Sequence, residues 1–445
     1  MEYFKELVLK AEKNNHIKSN FYDSYNVKRG LRNKNGTGVL VGLTEVGQVV
    51  GYTMDGDTKI PCEGELFYRG INIKDIVKGF MNDERKGFEE TAYLLLFGEL
   101  PTSSELEQFG DLLDKYRALP SDFTENMILK MPCKNIMNLI QRSILVLYSE
   151  DENADDTSTE NVLMQSIKLI ARMPTIVSYG YQAKAHYFNN ESLYLHKPKF
   201  GIGTAENILH MIRKDCEYTN VEAEALDLAL AIHADHGGGD NSSFTTHVVS
   251  STDTDTYSTL SAAVGALKGP KHGGANIMVC EMVDDIKKNL TDFQDKVKLK
   301  KYLEKILNKE AFDKKGLIYG MGHAVYTISD PRTGILKDKA KELASEKNAL
   351  GDFTLYENIE KLTIELFKER KGNNAEICAN VDLYSGLVYK LLEISPELYT
   401  PIFAVSRIAG WSAHRIEQIL SDPKIIRPAY KCIIPEREYT KLSER

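Results

Sequence analysis

The chain has no apolar run approaching the roughly 18 residues that a membrane-spanning helix needs. It has no surplus of positive charge either, since 56 Lys and Arg face 64 Asp and Glu for a net charge of -8. Nucleic acid and anionic membrane surfaces favour a basic face, so neither is an expected partner, although a local basic pocket for a small anion stays open. The six cysteines (Cys62, Cys133, Cys216, Cys280, Cys378 and Cys432) stand far apart with no CxxC pair, which points to buried thiols. No HExxH zinc motif, internal repeat or low-complexity tract is present. The first residues, MEYFKELVLKAEKNN, lack an apolar core and a small-residue cleavage site, and Glu2, Glu6 and Glu12 are unlike a mitochondrial presequence. A cytoplasmic location is therefore expected.

Helical patterning dominates what is there. At 445 residues, with 42% hydrophobic and 27% charged side chains, the chain is an ordinary globular sequence long enough for two or three cores. One non-helical stretch, Thr37–Tyr52, carries two Val/Leu-rich runs around Thr44–Gly47 and reads as a hairpin. Helical spacing follows from Gly87 to Leu147. One helix there contains Ala92, Leu95, Leu96 and Glu99 and closes at Pro101; a cap at Thr102–Ser104 opens the next. Glu150–Glu160 reads as a solvated acidic loop, and the small residues of Ser258–Leu267 as a buried or interface helix. From about 280 to 385 the chain is crowded with charge, yet Leu299, Leu303, Ile306 and Leu307 keep a helical stripe. That stretch reads as a peripheral helical subdomain.

Four segments could carry chemistry. In IHADHGGGDN (Ile232–Asn241), His233, Asp235 and His236 are competent metal ligands, but a further ligand is wanting, and a substrate or core histidine is the stronger expectation. In GPKHGGAN, His272 precedes a helix whose N-terminal dipole disfavours imidazolium; a neutral ring could hydrogen-bond an enolate oxygen, or simply cap the helix. In YGMGHAVYTISDPR, Gly320 and Gly322 precede His323 and could present N–H groups to a ligand, or form a plain turn; Asp330-Pro331 marks a turn. In NVDLYSGLVYKLL a helix starts near Asp382, which is an N-cap carboxylate if it has no chemical role.

Together, in order and spacing, these segments resemble the citrate synthase family. The resemblance extends to GELFYRGINIKDI (Gly64–Ile76), ETAYLLLFGELPT (Glu90–Thr102), PIFAVSRIAGW (Pro401–Trp411) and IIRPAY (Ile425–Tyr430), from about residue 30 onward. It implies a mainly α fold of two domains with a small N-terminal β-hairpin: a large domain at 1–279 and 386–445, and a small one at 280–385. It implies condensation of acetyl-coenzyme A with oxaloacetate and hydrolysis of the thioester, by a homodimer with shared active sites. No cofactor and no metal is expected, acetyl-CoA being a substrate. The implied catalytic set is His272 on the thioester carbonyl, His323 on the oxaloacetate carbonyl and Asp382 as the base that removes the methyl proton. His236, Arg332, Arg407 and Arg427 would bind oxaloacetate, with Phe403 lining the same pocket. Leu317, Gly320, Met321 and Gly322 would wrap coenzyme A. One departure stands out: Asp240 occupies a position where the family pattern leads one to expect asparagine.

Three other functions compete for the same residues. A 2-methylcitrate synthase would use propionyl-CoA on the same fold, a difference of one methylene, worth only about 1–3 kcal/mol. A metal-dependent hydrolase built on the HADH segment would leave Asp382 and the three arginines without roles. A non-catalytic CoA-binding relative would be expected to have lost part of the catalytic set, whereas His272, His323 and Asp382 are all present.

Overall fold

The computed structural model describes residues 2–56, 58–372, 375–421 and 424–444. Helices make up most of it, and the only sheet among the described residues is small. Its strands β1 (Gly47–Asp55), β2 (Thr58–Tyr68) and β3 (Ile71–Asn72) lie antiparallel in the order β1-β2-β3. The hairpin thus lies further along the chain than its apolar pattern indicates. β1 begins at Gly47, where the turn was expected, and the chain reverses between Asp55 and Thr58. Leu40, Val41 and Leu43, which suggested the first strand, are exposed and unpaired by any ladder. The true second strand was obscured by Pro61 and its flanking charges.

Six helices frame the residues of interest: α1 (Asn220–His233), α2 (Asn241–Ser250), α3 (Ala275–Asn289), α4 (Pro331–Glu346), α5 (Val381–Leu391) and α6 (Tyr399–Ser421). Local chemistry sets their starts. Thr219 and Glu222 form a reciprocal capping box on α1, and Asp240 caps α2. Asp330 caps α4 with Pro331 at the first helical position, and Asn380 caps α5. The long α6 is buried along most of its length. Its Arg415 ties it to neighbouring segments, donating to Thr256 Oγ1 at 3.1 Å, Thr259 Oγ1 at 3.0 Å and the Thr254 carbonyl at 2.8 Å.

Several expectations need adjustment. The helix of Ala92 and Leu95 spans Gly87–Phe97 and ends on a left-handed Gly98 before reaching Pro101. Thr102 does cap Ser103–Tyr116. The acidic 150–160 segment is partly docked, because Asp151 accepts from Tyr257 Oη at 2.8 Å and Gln165 Nε2 at 2.9 Å, and Ala154 is buried. Of the cysteines only Cys280 and Cys378 are buried, and Cys432 is exposed on the C-terminal segment. Thr256–Lys268 is buried as expected. The charged stretch is helical because Leu299, Leu303 and Ile306 are wholly buried beneath its lysines. Positions 280 and 385 fall inside α3 and α5, so any boundary there is carried by continuous helix.

Candidate active site

The HADH segment turns its side chains three different ways. Asp235 is fully buried, accepts from Gly237 N at 2.7 Å and meets His414 Nε2 of α6 at 2.9 Å. Gly47 makes room for it, since a Cβ there would stand 2.1 Å from Asp235 Oδ2. Burial opposes charge on His414, yet Asp235 and then Glu417 lift its pKa to about 9. Its other nitrogen lies 3.2 Å from His247 Nε2, and His247 Nδ1 meets Gln418 Oε1 at 2.8 Å. His414 is thus a buried imidazolium donating from both nitrogens, and Asp235 is spent on holding it.

His233 offers its carbonyl to Arg407 Nε at 2.7 Å, while its ring lies 5.0 Å from Phe403. Burial, then Arg332, pushes its pKa to about 3. The Arg407 guanidinium sits 4.6 Å over the Phe403 ring. Its Nη1 makes an ion contact with Asp240 at 3.4 Å but is buried without a hydrogen bond. His236 Nε2 is likewise buried without a partner, its ring 5.3 Å from that of His323. Buried polar nitrogens left unpaired are costly unless a ligand meets them.

The loop bearing His323 is sewn to the segment leading into α5. Gly322 N donates to Cys378 O at 2.7 Å, Asn380 N to Gly320 O at 2.9 Å, and Asn380 Nδ2 to Gly322 O at 2.7 Å. The Gly322 N–H is therefore unavailable to a ligand, which at this position favours the plain turn among the two readings of the glycines. Gly320 is needed for close approach at φ 81°, where a Cβ would lie 2.9 Å from that of Leu383. His323 Nδ1 accepts the backbone N–H groups of Val325 and Tyr326, both at 3.1 Å. That places the ring proton on Nε2. Burial, then Arg332, lowers its pKa to about 4, so the ring is neutral at ordinary pH.

Arg332 is buried in a bidentate pair with Asp330, at 3.0 and 2.8 Å, and the same carboxylate accepts from Val381 N at 3.2 Å. Asp382, in the first turn of α5, is not the cap: Asn380 Oδ1 accepts from Asp382 N at 3.0 Å. No donor among the described residues meets the Asp382 carboxyl. Burial lifts its pKa to about 6, with Arg332 pulling down, Asp330 pushing up and His272 pulling down. A carboxyl so placed is suited to general-base work near neutral pH.

His272 lies just before α3, as expected, with Nε2 at 3.1 Å from Ser242 Oγ and 3.2 Å from Asp240 Oδ1. Ser242 Oγ donates to Asp240 at 2.7 Å and accepts from Trp411 Nε1 at 3.0 Å. Side-chain contacts and electrostatic influence thus link His236, His272, His323, Arg332, Asp382, Phe403 and Arg407, Asp382 through the fields of Arg332 and His272. It does not bring in Arg427, which is exposed on the C-terminal segment, and Leu317 is exposed as well. Ser242, Trp411, Tyr326, Asp330 and His414 were missed. Only Asp330 carried a local signal, an acidic cap before proline. An enzyme of acid–base chemistry on anionic substrates is the class these features define.

The comparisons narrow that class. The family model for the citrate synthase C-terminal domain matches residues 35–429. The Haloferax volcanii citrate synthase is 34% identical over 406 residues, covering 90% of this chain and 94% of its own. A 2-methylcitrate synthase from Shewanella oneidensis is 30% identical, over 88% of this chain and 94% of its own. Among solved structures, Pyrobaculum aerophilum citrate synthase superposes with a TM-score of 0.74 at 30% identity, covering 92% and 94% of the two chains. Thermoplasma acidophilum citrate synthase, solved with carboxymethyl coenzyme A and oxaloacetate, gives 0.77 at 27% identity, covering 94% and 99%. The chain belongs to the citrate synthase family.

Proposed function

We infer that this chain condenses acetyl-CoA with oxaloacetate and hydrolyses the resulting thioester to citrate and CoA. The observation that carries the assignment of roles is the pair of buried nitrogens without a hydrogen-bond partner, Arg407 Nη1 and His236 Nε2, the His236 ring lying 5.3 Å from that of the neutral His323. Oxaloacetate is a dianion with a ketone. Arg407 and Arg332 meet its carboxylates, bidentate guanidinium suiting planar anions better than lysine. His236 and Phe403 complete the pocket, and His323 donates Nε2–H to the ketone oxygen, making its carbon electrophilic.

Acetyl-CoA lies on the other side. Asp382 removes the methyl proton while His272 donates to the thioester oxygen, since the methyl is too weak an acid for the base alone. Residues 280–385 move as a small domain, and closure keeps water out until the carbon–carbon bond has formed. Leu317, Gly320, Met321 and Gly322 line the CoA path.

Arg427 completes the oxaloacetate site of a partner subunit in a homodimer, which accords with its exposure here. Co-expressing Asp382→Asn with Arg427→Ala chains tests this. With random pairing about half the dimers are mixed, and one site in each has both groups intact, so about a quarter of all sites recover. Confirmed mixed dimers without activity would exclude the shared site. The overall activity is tested by thiol release with oxaloacetate, comparing acetyl- and propionyl-CoA. Faster turnover of propionyl-CoA would make 2-methylcitrate the product, and no release with either would overturn the reaction assigned here.

A further inference from the structure

The surroundings of His272 differ from what its place before a helix leads one to expect. Its Nε2 faces two oxygens, Asp240 Oδ1 at 3.2 Å and Ser242 Oγ at 3.1 Å. Asp240 is fixed as an anion. Burial works against its charge, but Arg407 and the bonds from His272 and Ser242 hold its carboxyl well below the usual range. An ionised carboxylate only accepts, and here it takes the Ser242 hydroxyl proton at 2.7 Å and the Ser242 N–H at 3.2 Å. The Ser242 oxygen also receives the Trp411 indole N–H at 3.0 Å, and indole can only donate. The hydroxyl proton being committed to Asp240, one oxygen lone pair is left, and it faces His272.

Both neighbours of Nε2 are therefore acceptors, so Nε2 carries a proton. Were Ser242 to turn its hydroxyl toward a bare Nε2, that lone pair would face the Asp240 carboxylate at 3.2 Å, and Asp240 would lose its shortest bond. No described residue hydrogen-bonds His272 Nδ1, and this is the nitrogen left for substrate. A neutral ring with its proton on Nε2 has only a lone pair at Nδ1 and cannot donate to a thioester oxygen.

We propose that Asp240 is a positioning residue that keeps His272 an imidazolium, so that the group meeting the nascent enolate is a cationic Nδ1–H donor. The proposal rests on His272 serving the thioester carbonyl. The charged groups around the ring divide by element: Asp240 from the start of α2, Asp382 from α5 and Arg407 of α6 behind Asp240. Two carboxyls and one guanidinium thus surround it, and the carboxylate is the nearer charge. In the enolisation step the Asp382 carboxylate takes the methyl proton. The C–H electron pair becomes the carbon–carbon double bond, and the carbonyl π pair moves onto oxygen, where the Nδ1 proton is hydrogen-bonded or transferred. If it is transferred, the ring becomes neutral with its remaining proton on Nε2, toward Asp240. With asparagine at 240, Ser242 is released to donate to Nε2, and a neutral ring bearing Nδ1–H does the same task without the charge.

Two measurements test this. Ring nitrogen NMR of histidine-labelled, ligand-free protein at neutral pH, with the His272 signals assigned by loss in His272→Gln, reads protonation without reference to catalysis. Two protonated ring nitrogens are expected in the wild type, and a neutral ring of either tautomer overturns the proposal. In Asp240→Asn the ring is expected to be neutral with the proton on Nδ1. The second readout is turnover against pH. In the wild type kcat is expected to fall at alkaline pH as the cationic donor is lost, and Asp240→Asn abolishes that fall. A fall that survives unchanged in a folded variant contradicts the proposal. If no thiol is released under any condition, the assigned reaction fails, while the NMR result still decides the state of His272.

Discussion

The two walls of the site handle charge in opposite ways. On the wall of α1, α2 and α6, pairing overrides burial at three groups: His414 rises to about 9, while Asp235 and Asp240 are held below the usual carboxylate range; His233, facing no carboxylate partner, still falls to about 3. On the wall formed by the His323 loop and the start of α5, burial wins: His323 falls to about 4 and Asp382 rises to about 6. The difference is one of partners. Asp235 has His414 at 2.9 Å, whereas no described donor meets the Asp382 carboxyl. The ionic wall is a brace, and the desolvated wall carries a base and a neutral donor. Asp330 and Arg332 are the exception on the second wall, a paired brace bonded to the backbone of Val381, the residue before Asp382.

Asp382→Asn tests the contrast most severely. Turnover is expected to fall roughly 10²–10⁴-fold, the usual scale for a lost general base. Stability should move the other way. The folded pKa of Asp382 is raised, so its favourable contribution is complete below the unfolded value near 3.9 and is lost as pH rises through about 6. Replacing it should stabilise the protein at pH 7 by up to about 3 kcal/mol. Urea unfolding of the two proteins at pH 5 and pH 7.5 checks this, with the gain at pH 5 about half that at pH 7.5.

Asp330→Asn should do the reverse, leaving Arg332 buried without its counter-charge. A loss of about 3–5 kcal/mol is expected, the scale for breaking a buried pair, and a drop in melting temperature measures it. His414 gives a pH-dependent version of the same test. Its folded pKa is raised to about 9, so its contribution is present below about 6.5 and lost as pH rises through about 9. The wild type should lose on the order of 3 kcal/mol from this group between pH 6.5 and 9.5, and His414→Gln should flatten that slope in paired denaturant titrations. Asn380→Ala removes a cap, costing about 0.5–2 kcal/mol. It also frees Gly322 O from its side-chain bond, so kcat should fall more than the stability loss alone explains.

How much of this was legible in the sequence depended on how locally each feature is encoded. His272, His323 and Asp382 sit in short runs whose letters carry both the turn and the chemistry, and Arg332 and Arg407 lie at fixed offsets within their own helices. The brace was not legible, because its partners meet across long stretches of chain: Asp235 with His414, and Ser242 with Trp411. Nothing in GWSAHRIEQ announces that its histidine is charged. The hairpin was misplaced because Leu40, Val41 and Leu43 have strand-like character but no partner strand. The neighbours of His272 Nε2 were not legible either, because Asp240 and Ser242 reach it from a helix start some thirty residues earlier.

Carboxyl carbon NMR of aspartate-labelled protein, titrated with pH and assigned through the Asn variants of Asp235, Asp240 and Asp382, tests the contrast of the two walls most directly. The account predicts that Asp382 titrates near about 6 while Asp235 and Asp240 stay ionised through the ordinary carboxylate range. Asp382 titrating with exposed aspartates near 3.9, or Asp240 titrating alongside them, would contradict it.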